Sequence, residues 1–249
     1  MTVIVSLAMD IAVSNNPGRT VLITGSTLGF ELARAYAADT SVSTVIYTYR
    51  TREPVFRSSK VMCVPMDLTC ERQVEGFISQ LDRLDGVVNT VGLLHEDAMQ
   101  PEKSIARVSA EQLMRSLEIN TLPTLLLAKH SRRVLRRSQD AIFATISAKV
   151  GSIEDNRLGG WYSYRATKAA LNMAVKTLAI EWRLALPNCT VAALHPGTFV
   201  SPLSKPFTRH NNHVLFPEES ATHLKTILDR LRPEDTGRFW AWNGEELPW

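Results

Sequence analysis

The 249-residue chain lacks the features that mark secreted, membrane-spanning or strongly charged proteins. It has three cysteines, Cys63, Cys70 and Cys189, an odd number without metal-ligand spacing. This usage argues against a disulfide framework and fits a reducing cytosol, so we expect a cytoplasmic protein. No apolar run is long enough to span a bilayer, and we therefore expect no membrane association. The net charge of +3 is mild and indicates no particular charged partner.

Basic side chains are concentrated at one place in the chain, at Arg132, Arg133, Arg136 and Arg137. No aromatic residue is interleaved with them, which favours a solvated helix end over a nucleic-acid contact. We therefore expect no nucleic-acid partner. The histidines have no spacing that would bring in a second strong ligand, so we expect no metal site.

The amino-terminal segment is apolar but does not resemble a signal peptide. It has no basic n-region, it contains Asp10, and it ends in the turn-like run 14–18. The rest of the chain shows no internal repeat, low-complexity linker or change of composition. We therefore predict an extension over 1–18 and a single domain over 19–249.

Short β-rich runs alternate with helical patterns along the domain. Strands are predicted near 20–24, 44–49, 61–65, 86–90, 141–147, 189–195 and 238–242, and helices near 29–38, 70–84, 109–137, 162–186 and 217–232. The alternation predicts an α/β fold, a doubly wound parallel sheet of about seven strands with helices on both faces. The irregular stretches 93–108 and 201–216 follow predicted strands, at the edge where such sheets bind ligands.

The pair Tyr164 and Lys168 stands at the start of a long helical pattern rich in Ala and Leu. Residues at i and i+4 share one helix face, so the phenol and the ammonium are expected to lie close together. A nearby cation favours the phenolate form of tyrosine. Such a tyrosine can exchange a proton with a substrate oxygen near neutral pH.

The first predicted strand runs into a glycine-containing turn and then a helix, with Gly25 and Gly29 on either side of Ser26, Thr27 and Leu28. Glycines there allow a tight turn and a close approach of the backbone to a pyrophosphate. The helix N-terminus then supplies N–H donors. The pattern is typical of nucleotide binding, although an ordinary strand-to-helix turn can look the same.

Taken together, the motifs make the chain resemble the short-chain dehydrogenase/reductase family over residues 19–249. In order, the matching motifs are the loop Gly25–Gly29, the pair Asp67 and Leu68, the run Asn89, Thr90, Val91 and Gly92, the helical Asn120, the pair Tyr164 and Lys168, and the turn His195, Pro196, Gly197 and Thr198. The runs at 159–168 and 243–249 resemble C-factor-like and sniffer-like carbonyl reductases. The resemblance implies a Rossmann-type domain that binds a nicotinamide cofactor.

The resemblance also implies roles for individual residues. Tyr164 would be the general acid and base, Lys168 would hold the nicotinamide ribose, and Asn120 would hold a water in the proton path. An alternative for Asn120 is a residue that bonds backbone at a helix kink before Pro123. The residues implied in cofactor binding are Gly25, Ser26, Thr27, Leu28, Gly29, Arg50, Asp67, Leu68, Asn89, Val91, Gly92, Tyr164, Lys168, Pro196, Gly197 and Thr198. His195 itself is interpreted as a strand-end residue packed beside the Pro-Gly turn.

The chain departs from the family pattern after the fifth strand, where the catalytic serine is expected. Ala148 takes that position. Ser147 is the nearest hydroxyl and is taken as the catalytic candidate, although strand alternation points it to the opposite side. Local distortion could bring either Ser147 or Ser152 into reach. Without such a hydroxyl, one hydrogen bond to the substrate oxygen is missing.

Two charged residues bear on the cofactor. Glu31 replaces the third glycine of the family motif, and its carboxylate would repel a pyrophosphate unless the side chain points away. The second strand ends without the acid that usually binds an unphosphorylated ribose, and Arg50 follows it instead. A guanidinium matches phosphate geometry, so we expect NADP(H) rather than NAD(H), unless Arg50 only ends a strand in solvent.

The sequence therefore predicts an NADPH-dependent carbonyl reductase acting on a small or medium carbonyl compound. The alternative is an NADP-binding sensor or C-factor-like signalling protein with little turnover, which Ala148 favours. A methyltransferase would leave Tyr164 and Lys168 unexplained. The resemblance also implies a homodimer or homotetramer in which the helices near 109–137 and 162–186 meet a partner through Leu171, Val175 and Leu178.

Overall fold

The computed structural model of the protein describes residues 18–25, 27–96, 99–207 and 214–249. Seven parallel strands form one sheet in the order β3-β2-β1-β4-β5-β6-β7. The strands are β1 Arg19–Thr24, β2 Val42–Tyr49, β3 Val61–Pro65, β4 Gly86–Asn89, β5 Ala141–Ile146, β6 Cys189–His195 and β7 Arg238–Ala241. The helices are α1 Thr27–Ala38, α2 Glu71–Ile78, α3 Ala110–Asn120, α4 Leu122–Leu135, α5 Tyr162–Ala185 and α6 Pro217–Arg230. Apart from residue 18, the predicted extension lies outside the described residues.

The sheet is covered on both faces, as the continuous apolar runs of its strands predict. One core lies between the sheet and helices α2, α4 and α5, and it contains Ile78, Leu127 and Leu171. The other core lies under α1 and α6, and it contains Leu32 and Leu224. The predicted doubly wound parallel α/β fold is therefore confirmed.

The strand order reverses next to β1, and this reversal positions the site. The chain adds β2 and β3 on one side of β1, then returns to place β4 on the other side. Thr24 pairs with Asn89, so the carboxyl ends of β1 and β4 lie side by side. In open parallel sheets this is where the connections diverge and leave a crevice for a ligand.

Two predicted helices are shorter or more divided than expected. The pattern over 109–137 forms two helices, because Thr121 leaves ideal helical geometry with φ of −118°. Pro123, in the first turn of α4, has no N–H to continue the hydrogen-bond ladder of α3. The pattern over 70–84 is helical only in Glu71–Ile78. The break places Asn120 at the end of α3, beside the crevice.

The residues expected to meet a partner on α5 are instead part of the protein core. Leu171 and Val175 are fully buried within the chain, and Leu178 packs against the same core from its edge. The apolar side chains that α5 exposes are Met173, Ile180 and Leu184, and Leu184 is 89% exposed. The helix is apolar on two faces, and the sequence pattern alone identified the inner one.

Candidate active site

The crevice begins at a glycine turn that a side chain would block. Gly25 has φ of 110°, and a Cβ built there would lie 2.0 Å from Thr90 Oγ1. A Cβ on Gly29 would lie 2.6 Å from the carbonyl oxygen of Thr24. Thr90 Oγ1 donates to that same carbonyl at 2.6 Å, which fixes the close approach. Both positions therefore require glycine, and the turn delivers the N-terminus of α1 to the crevice, as a pyrophosphate site needs.

Two adjoining cavities open at this edge of the sheet. The larger has a volume of about 760 Å³, and the smaller about 300 Å³. The predicted site residues that line the larger cavity are Thr27, Leu28, Val91, Gly92, Ser147, Tyr164, Lys168, Pro196, Gly197 and Thr198. Those that line the smaller cavity are Gly25, Arg50, Asp67, Leu68, Val91 and Gly92. Val91 and Gly92 line both, so the cavities meet at the end of β4. Ser26 lies outside the described residues.

Tyr164 and Lys168 lie together on α5, beside the larger cavity. Lys168 is 2% exposed, its Nζ donates to the carbonyl oxygen of Ile146 at 2.9 Å, and Nζ lies 5.9 Å from the centre of the Tyr164 ring. Burial lowers the pKa of Lys168 to about 7. Burial also raises the pKa of Tyr164 well above its ordinary value.

This electrostatic balance differs from the expected one. The sequence predicted that the ammonium would favour the phenolate, but burial penalises both charged forms and the lysine loses much of its own charge near neutral pH. Tyr164 is therefore a neutral phenol at physiological pH. A neutral phenol beside a cavity is a proton donor, which suits reduction of a carbonyl group.

The two serine hydroxyls considered for catalysis are engaged elsewhere. Ser147 Oγ donates to Asn172 Oδ1 on α5 at 2.6 Å and is buried. Ser152 Oγ donates to the main-chain oxygen of Trp249 at 3.2 Å. Ala148 lines the larger cavity with its methyl group. Strand alternation therefore directs Ser147 into the protein, as expected, and the structure does not bring its hydroxyl to the substrate position.

Asn89 and Asn120 brace the walls of the site and line neither cavity. Asn89 is 1% exposed, accepts from Thr24 Oγ1 at 2.7 Å and donates to Thr124 Oγ1 at 2.8 Å, which ties β1 to β4 and α4. Asn120 is also buried, and its amide bonds both main-chain groups of Leu93, at 2.7 and 2.9 Å. Asn120 therefore bonds backbone, but that of the loop after β4 and not that of a helix kink as the alternative proposed.

Arg50 follows the last residue of β2 and lines the smaller cavity with Asp67. It is exposed, and its guanidinium forms no hydrogen bond or ion pair within the described part of the chain. Although burial opposes it, hydrogen bonds from Thr69 and the nearby charges of Arg50 and Arg115 hold the pKa of Asp67 below its usual range. A cation at the wall of this cavity remains free to meet an anionic ligand.

Glu31 does not enter either cavity. Its carboxylate pairs with Arg34 of the same helix at 2.8 Å. The side chain lines neither cavity, and the adjacent guanidinium offsets its charge. The predicted repulsion of a pyrophosphate is therefore reduced by geometry and by pairing.

The turn after β6 closes the other side of the larger cavity. Gly197 has φ of 74°, and a Cβ there would lie 2.8 Å from Trp242 Cδ1. The carbonyl oxygen of Pro196 accepts from Ser220 Oγ on α6 at 2.7 Å. The glycine is required both by its positive φ and by the indole packed against it, which fixes the Pro-Gly turn at the cavity wall.

Glu102 is a site residue that the sequence did not reveal. It is 3% exposed, and its carboxylate accepts from Ser163 N at 3.1 Å and from Ser163 Oγ. Its main-chain oxygen accepts from Trp161 N. The remote carboxylate therefore caps the helix that carries Tyr164. The available signal is that Trp161, which precedes α5, cannot cap it with its own side chain, so the orphan N–H groups need another acceptor.

Aromatic side chains cover the mouth of the larger cavity. Trp161 has a left-handed backbone, with φ of 53°, and its ring lies 6.2 Å from that of Tyr164 and 5.2 Å from that of Phe207. His95 Nε2 lies 3.2 Å from the carbonyl oxygens of both Pro202 and Leu203. The two irregular stretches predicted at this edge therefore meet over the cavity.

Among the described residues, no group of three or more His, Cys, Asp and Glu side chains is arranged to hold a metal ion. Within the same part of the chain, none of the helices combines the length and apolar composition needed to cross a bilayer.

Comparison with known proteins defines the family. Residues 19–212 match the model of the short chain dehydrogenases, and the chain belongs to this family. It is 32% identical to 1-hydroxy-2-glutathionyl-2-methyl-3-butene dehydrogenase of a Rhodococcus species, over 74% of this chain and 78% of the relative. It is 31% identical to the C-signal of Myxococcus xanthus, over 59% of this chain and 84% of that protein.

Solved structures show the same fold. The carbonyl reductase Sniffer of D. melanogaster superposes with a TM-score of 0.81 at 22% identity, covering 93% of this chain and all of that one (100%). An NADPH-bound carbonyl reductase from chicken fatty liver superposes with a TM-score of 0.82 at 22% identity, covering 93% of this chain and 94% of that one. The predicted resemblance to C-factor-like and sniffer-like proteins is confirmed at the level of family and fold, and the chain is an oxidoreductase of the short-chain type.

Proposed function

We propose that the protein is an NADPH-dependent carbonyl reductase that reduces small or medium aldehydes and ketones. The observation that carries the proposal is the pair of Tyr164 and Lys168 on the wall of a cavity of about 760 Å³, at the carboxyl edge of the sheet. The tyrosine is held as a neutral acid beside a space large enough for a substrate. A helix surface pair without a function has no need of a buried lysine.

The residues present fit a dinucleotide. The glycine turn at Gly25 and Gly29 leaves room for a pyrophosphate at the N-terminus of α1, and the smaller cavity can take the adenosine half. When bound, the nicotinamide supplies the hydride. Val91, Gly92 and the turn at Pro196 and Gly197 would hold it against the larger cavity.

In the proposed reaction, Tyr164 donates its phenolic proton to the carbonyl oxygen as the carbonyl carbon becomes saturated. Lys168 is braced by the carbonyl oxygen of Ile146 and would bind the nicotinamide ribose. Asn120 fixes Leu93 at the cavity wall and contacts Thr167, the residue before Lys168, at 3.1 Å. The helix that carries the acid and its supporting lysine is thus held by two other elements of the fold, β5 and α3.

The choice of NADPH over NADH rests on Arg50. The end of β2 offers no carboxylate for an unphosphorylated ribose, and the guanidinium of Arg50 is available at the smaller cavity. A guanidinium can bind a 2′-phosphate through two parallel hydrogen bonds. The NADPH-bound reductase with the same fold supports this choice.

A second candidate function is a cofactor-binding signalling protein with little turnover. It is favoured by Ala148 on the cavity wall and by the likeness to the C-signal. The two candidates share the cofactor site and differ in chemistry. Turnover separates them, because a sensor would bind NADPH without oxidising it in the presence of carbonyl compounds.

The test is a fluorescence titration with NADPH and NADH, followed by NADPH oxidation with a panel of aldehydes, ketones and quinones. We expect tighter binding of NADPH and measurable turnover with at least one class of carbonyl. Binding without turnover on the whole panel supports the signalling protein. Failure to bind either nucleotide rejects both candidates.

We further propose that the protein forms a homodimer or homotetramer through the exposed faces of α3 and α5. Met114 on α3 and Met173, Ile180 and Leu184 on α5 are exposed apolar side chains, each at least 60% accessible. Sedimentation velocity at micromolar concentration tests this, and Ile180→Glu should shift the protein towards monomer. A wild-type monomer throughout that range would reject the assembly.

A further inference from the structure

The proposed reduction leaves one hydrogen bond unassigned. Negative charge develops on the carbonyl oxygen, and sites of this kind place a second donor there beside the acid. Ala148 contributes a methyl group to the cavity, and the hydroxyls of Ser147 and Ser152 are bound to Asn172 and Trp249. A second donor must therefore come from another element of the cavity wall.

His195 is the last residue of β6, directly next to β5. Ile146 pairs with Leu194, and Ser147 N donates to the carbonyl oxygen of Leu194 at 2.8 Å, so His195 lies opposite Ser147, one residue before Ala148. His195, Ala148 and Tyr164 all line the larger cavity. The sequence presented His195 as a packing residue, and only the sheet register brings it close to the segment that carries Ala148.

The imidazole of His195 has no hydrogen-bond partner among the residues that the structure describes. Its Nδ1 is buried without a hydrogen bond, and neither ring nitrogen is bonded within the described residues. Buried polar atoms are almost always paired in folded proteins, so an imidazole that lines a cavity with neither nitrogen paired is a candidate to bind a ligand there. Asn172, which binds Ser147, also leaves its Nδ2 unpaired, but that amide is absent from the cavity wall.

The charge state of His195 suits a donor that is not consumed. Burial and the charge of Lys149 lower its pKa to about 4, with Asp155 opposing. Lys149 and Asp155 pair with each other at 3.5 Å on the same wall, and they are the charged groups acting on the ring. The imidazole is therefore neutral at physiological pH and carries one N–H and one lone pair.

We propose that His195 donates a hydrogen bond to the carbonyl oxygen of the substrate, in place of the serine that Ala148 replaces. This rests on the proposed carbonyl reductase function. The carbonyl carbon gains the hydride, the C=O π electrons move to oxygen, and the proton of Tyr164 completes the alcohol. His195 keeps its own proton throughout and stabilises the charge that develops on the oxygen.

The test is a double-mutant cycle with 4-nitrobenzaldehyde and NADPH. His195→Phe fills the space of the ring without a donor, and should lower kcat/KM about 10²–10³-fold. His195→Gln keeps an N–H donor and should retain more activity than His195→Phe. Ala148→Ser should raise the rate of the wild type less than it raises the rate of His195→Phe, because in the wild type the oxygen already has its donor. In the His195→Phe background, the same serine should restore most of the lost rate.

Two outcomes of this cycle would overturn the role of His195. One is a kcat/KM within about threefold of the wild type for folded His195→Phe. The other is an equal gain from Ala148→Ser in both backgrounds, which would mean that the two residues do not act on one oxygen. The affinity for NADPH is the control and should not change in any variant. If the wild type reduces no carbonyl compound at all, the proposed function fails, and the assigned role of His195 fails with it.

A binding measurement gives a readout that does not depend on turnover or on the stability of a variant. NADP⁺ and 4-nitrobenzaldehyde form a dead-end complex in which no hydride can move. The ¹⁵N signals of the His195 ring, assigned against His195→Gln, should shift when the aldehyde joins the NADP⁺ complex. Unchanged His195 signals at saturating aldehyde would contradict the hydrogen bond directly.

Discussion

The glycine turn after β1 and the start of α5 lie on opposite sides of the same crevice, and they are specified differently. The turn is defined by missing side chains, since a Cβ at Gly25 would lie 2.0 Å from Thr90 Oγ1. The start of α5 is defined by side chains that reach distant partners, as Glu102 does in capping Ser163. A backbone cradle can be recognised from a few glycines, whereas a bracing network depends on residues far apart in the chain.

The comparison also separates binding from chemistry. The glycine turn, Arg50 and Asp67 form the half of the site that would hold the adenosine diphosphate, where ligand charge meets backbone N–H groups and an exposed cation. Tyr164, Lys168 and His195 form the other half, where burial lowers the pKa of Lys168 to about 7 and that of His195 to about 4. Changes in the first half should alter cofactor affinity, and changes in the second should alter the rate of reduction.

The largest effect is expected for Tyr164→Phe, which removes only the phenolic oxygen. General acid catalysis contributes about 10²–10⁴-fold, so kcat should fall by that factor while the dissociation constant of NADPH stays unchanged. Steady-state kinetics and fluorescence titration measure the two quantities. Equal losses of NADPH affinity and of kcat in Tyr164→Phe would show that the two halves of the site are not separable. The matched control is Tyr162→Phe, which changes the exposed tyrosine nearby on the same helix.

Lys168 should make the stability of the protein depend on pH. Its pKa is about 7 when folded against an ordinary value of 10.5. Between these values the unfolded chain binds the proton that the folded chain has released, so the free energy of unfolding rises with pH, by at most about 1.4 kcal/mol per pH unit and on the order of 5 kcal/mol in total. From about pH 9 the raised pKa of the buried Cys189 thiol opposes this rise, and above about pH 10 the raised pKa of Tyr164 opposes it as well, because the unfolded thiol and phenol ionise first.

Denaturant unfolding of the wild type and of Lys168→Met at pH 7 to 9 checks this dependence. The methionine variant should lose the rise, whereas Lys103→Met, which removes an exposed ammonium, should keep it. The same rise in both variants would assign the pH dependence to other groups.

Glu102→Ala should weaken the bracing network by about 2 kcal/mol, because it leaves buried hydrogen-bond donors at Ser163 unpaired. The start of α5 should then fray, and kcat should fall while NADPH affinity is kept. Glu102→Gln retains an acceptor, so its stability and its kcat should lie between those of the wild type and those of Glu102→Ala. Thermal unfolding and steady-state kinetics test this prediction. Glu234→Ala, at an exposed position, is the control. A Glu102→Ala variant with wild-type stability and kcat would show that α5 does not need this cap.

The narrowest effect is expected for Arg50→Ala, because it should appear in cofactor binding alone. Loss of a charge-assisted contact of about 1.5–3 kcal/mol weakens NADPH about 10–100-fold, while NADH binding and kcat at saturating cofactor change little. Arg57→Ala, which removes an exposed arginine outside both cavities, should be silent. An equal loss for NADPH and NADH would mean that Arg50 does not contact the 2′-phosphate.

The fold and the cofactor side of the site could be predicted from sequence because their determinants are periodic or local. Strand and helix alternation gave the parallel sheet, and the turn around Gly25 gave the cradle. The division of 109–137 into α3 and α4 was missed, because the apolar pattern continues through Thr121 and only the position of Pro123 marks the break.

The chemistry of the catalytic half of the site, around Tyr164 and Lys168, could not be predicted from sequence in the same way. Whether Tyr164 is a phenol or a phenolate depends on burial, which the spacing of Tyr164 and Lys168 does not report. Glu102 lies 61 residues before Ser163 and belongs to no helix or strand. The unpaired Nδ1 of His195 becomes visible only when β5 and β6 are placed side by side.

The most direct test of the account follows the hydride. NADPH deuterated at C4 is mixed with the wild type and a panel of aldehydes and ketones, and the alcohols formed are analysed by mass spectrometry. The account predicts deuterium on the carbinol carbon of at least one product with the wild type, and a strongly reduced yield with Tyr164→Phe. Tight binding of NADPH with no labelled alcohol from any carbonyl would contradict it and leave a cofactor-binding protein without reductase chemistry.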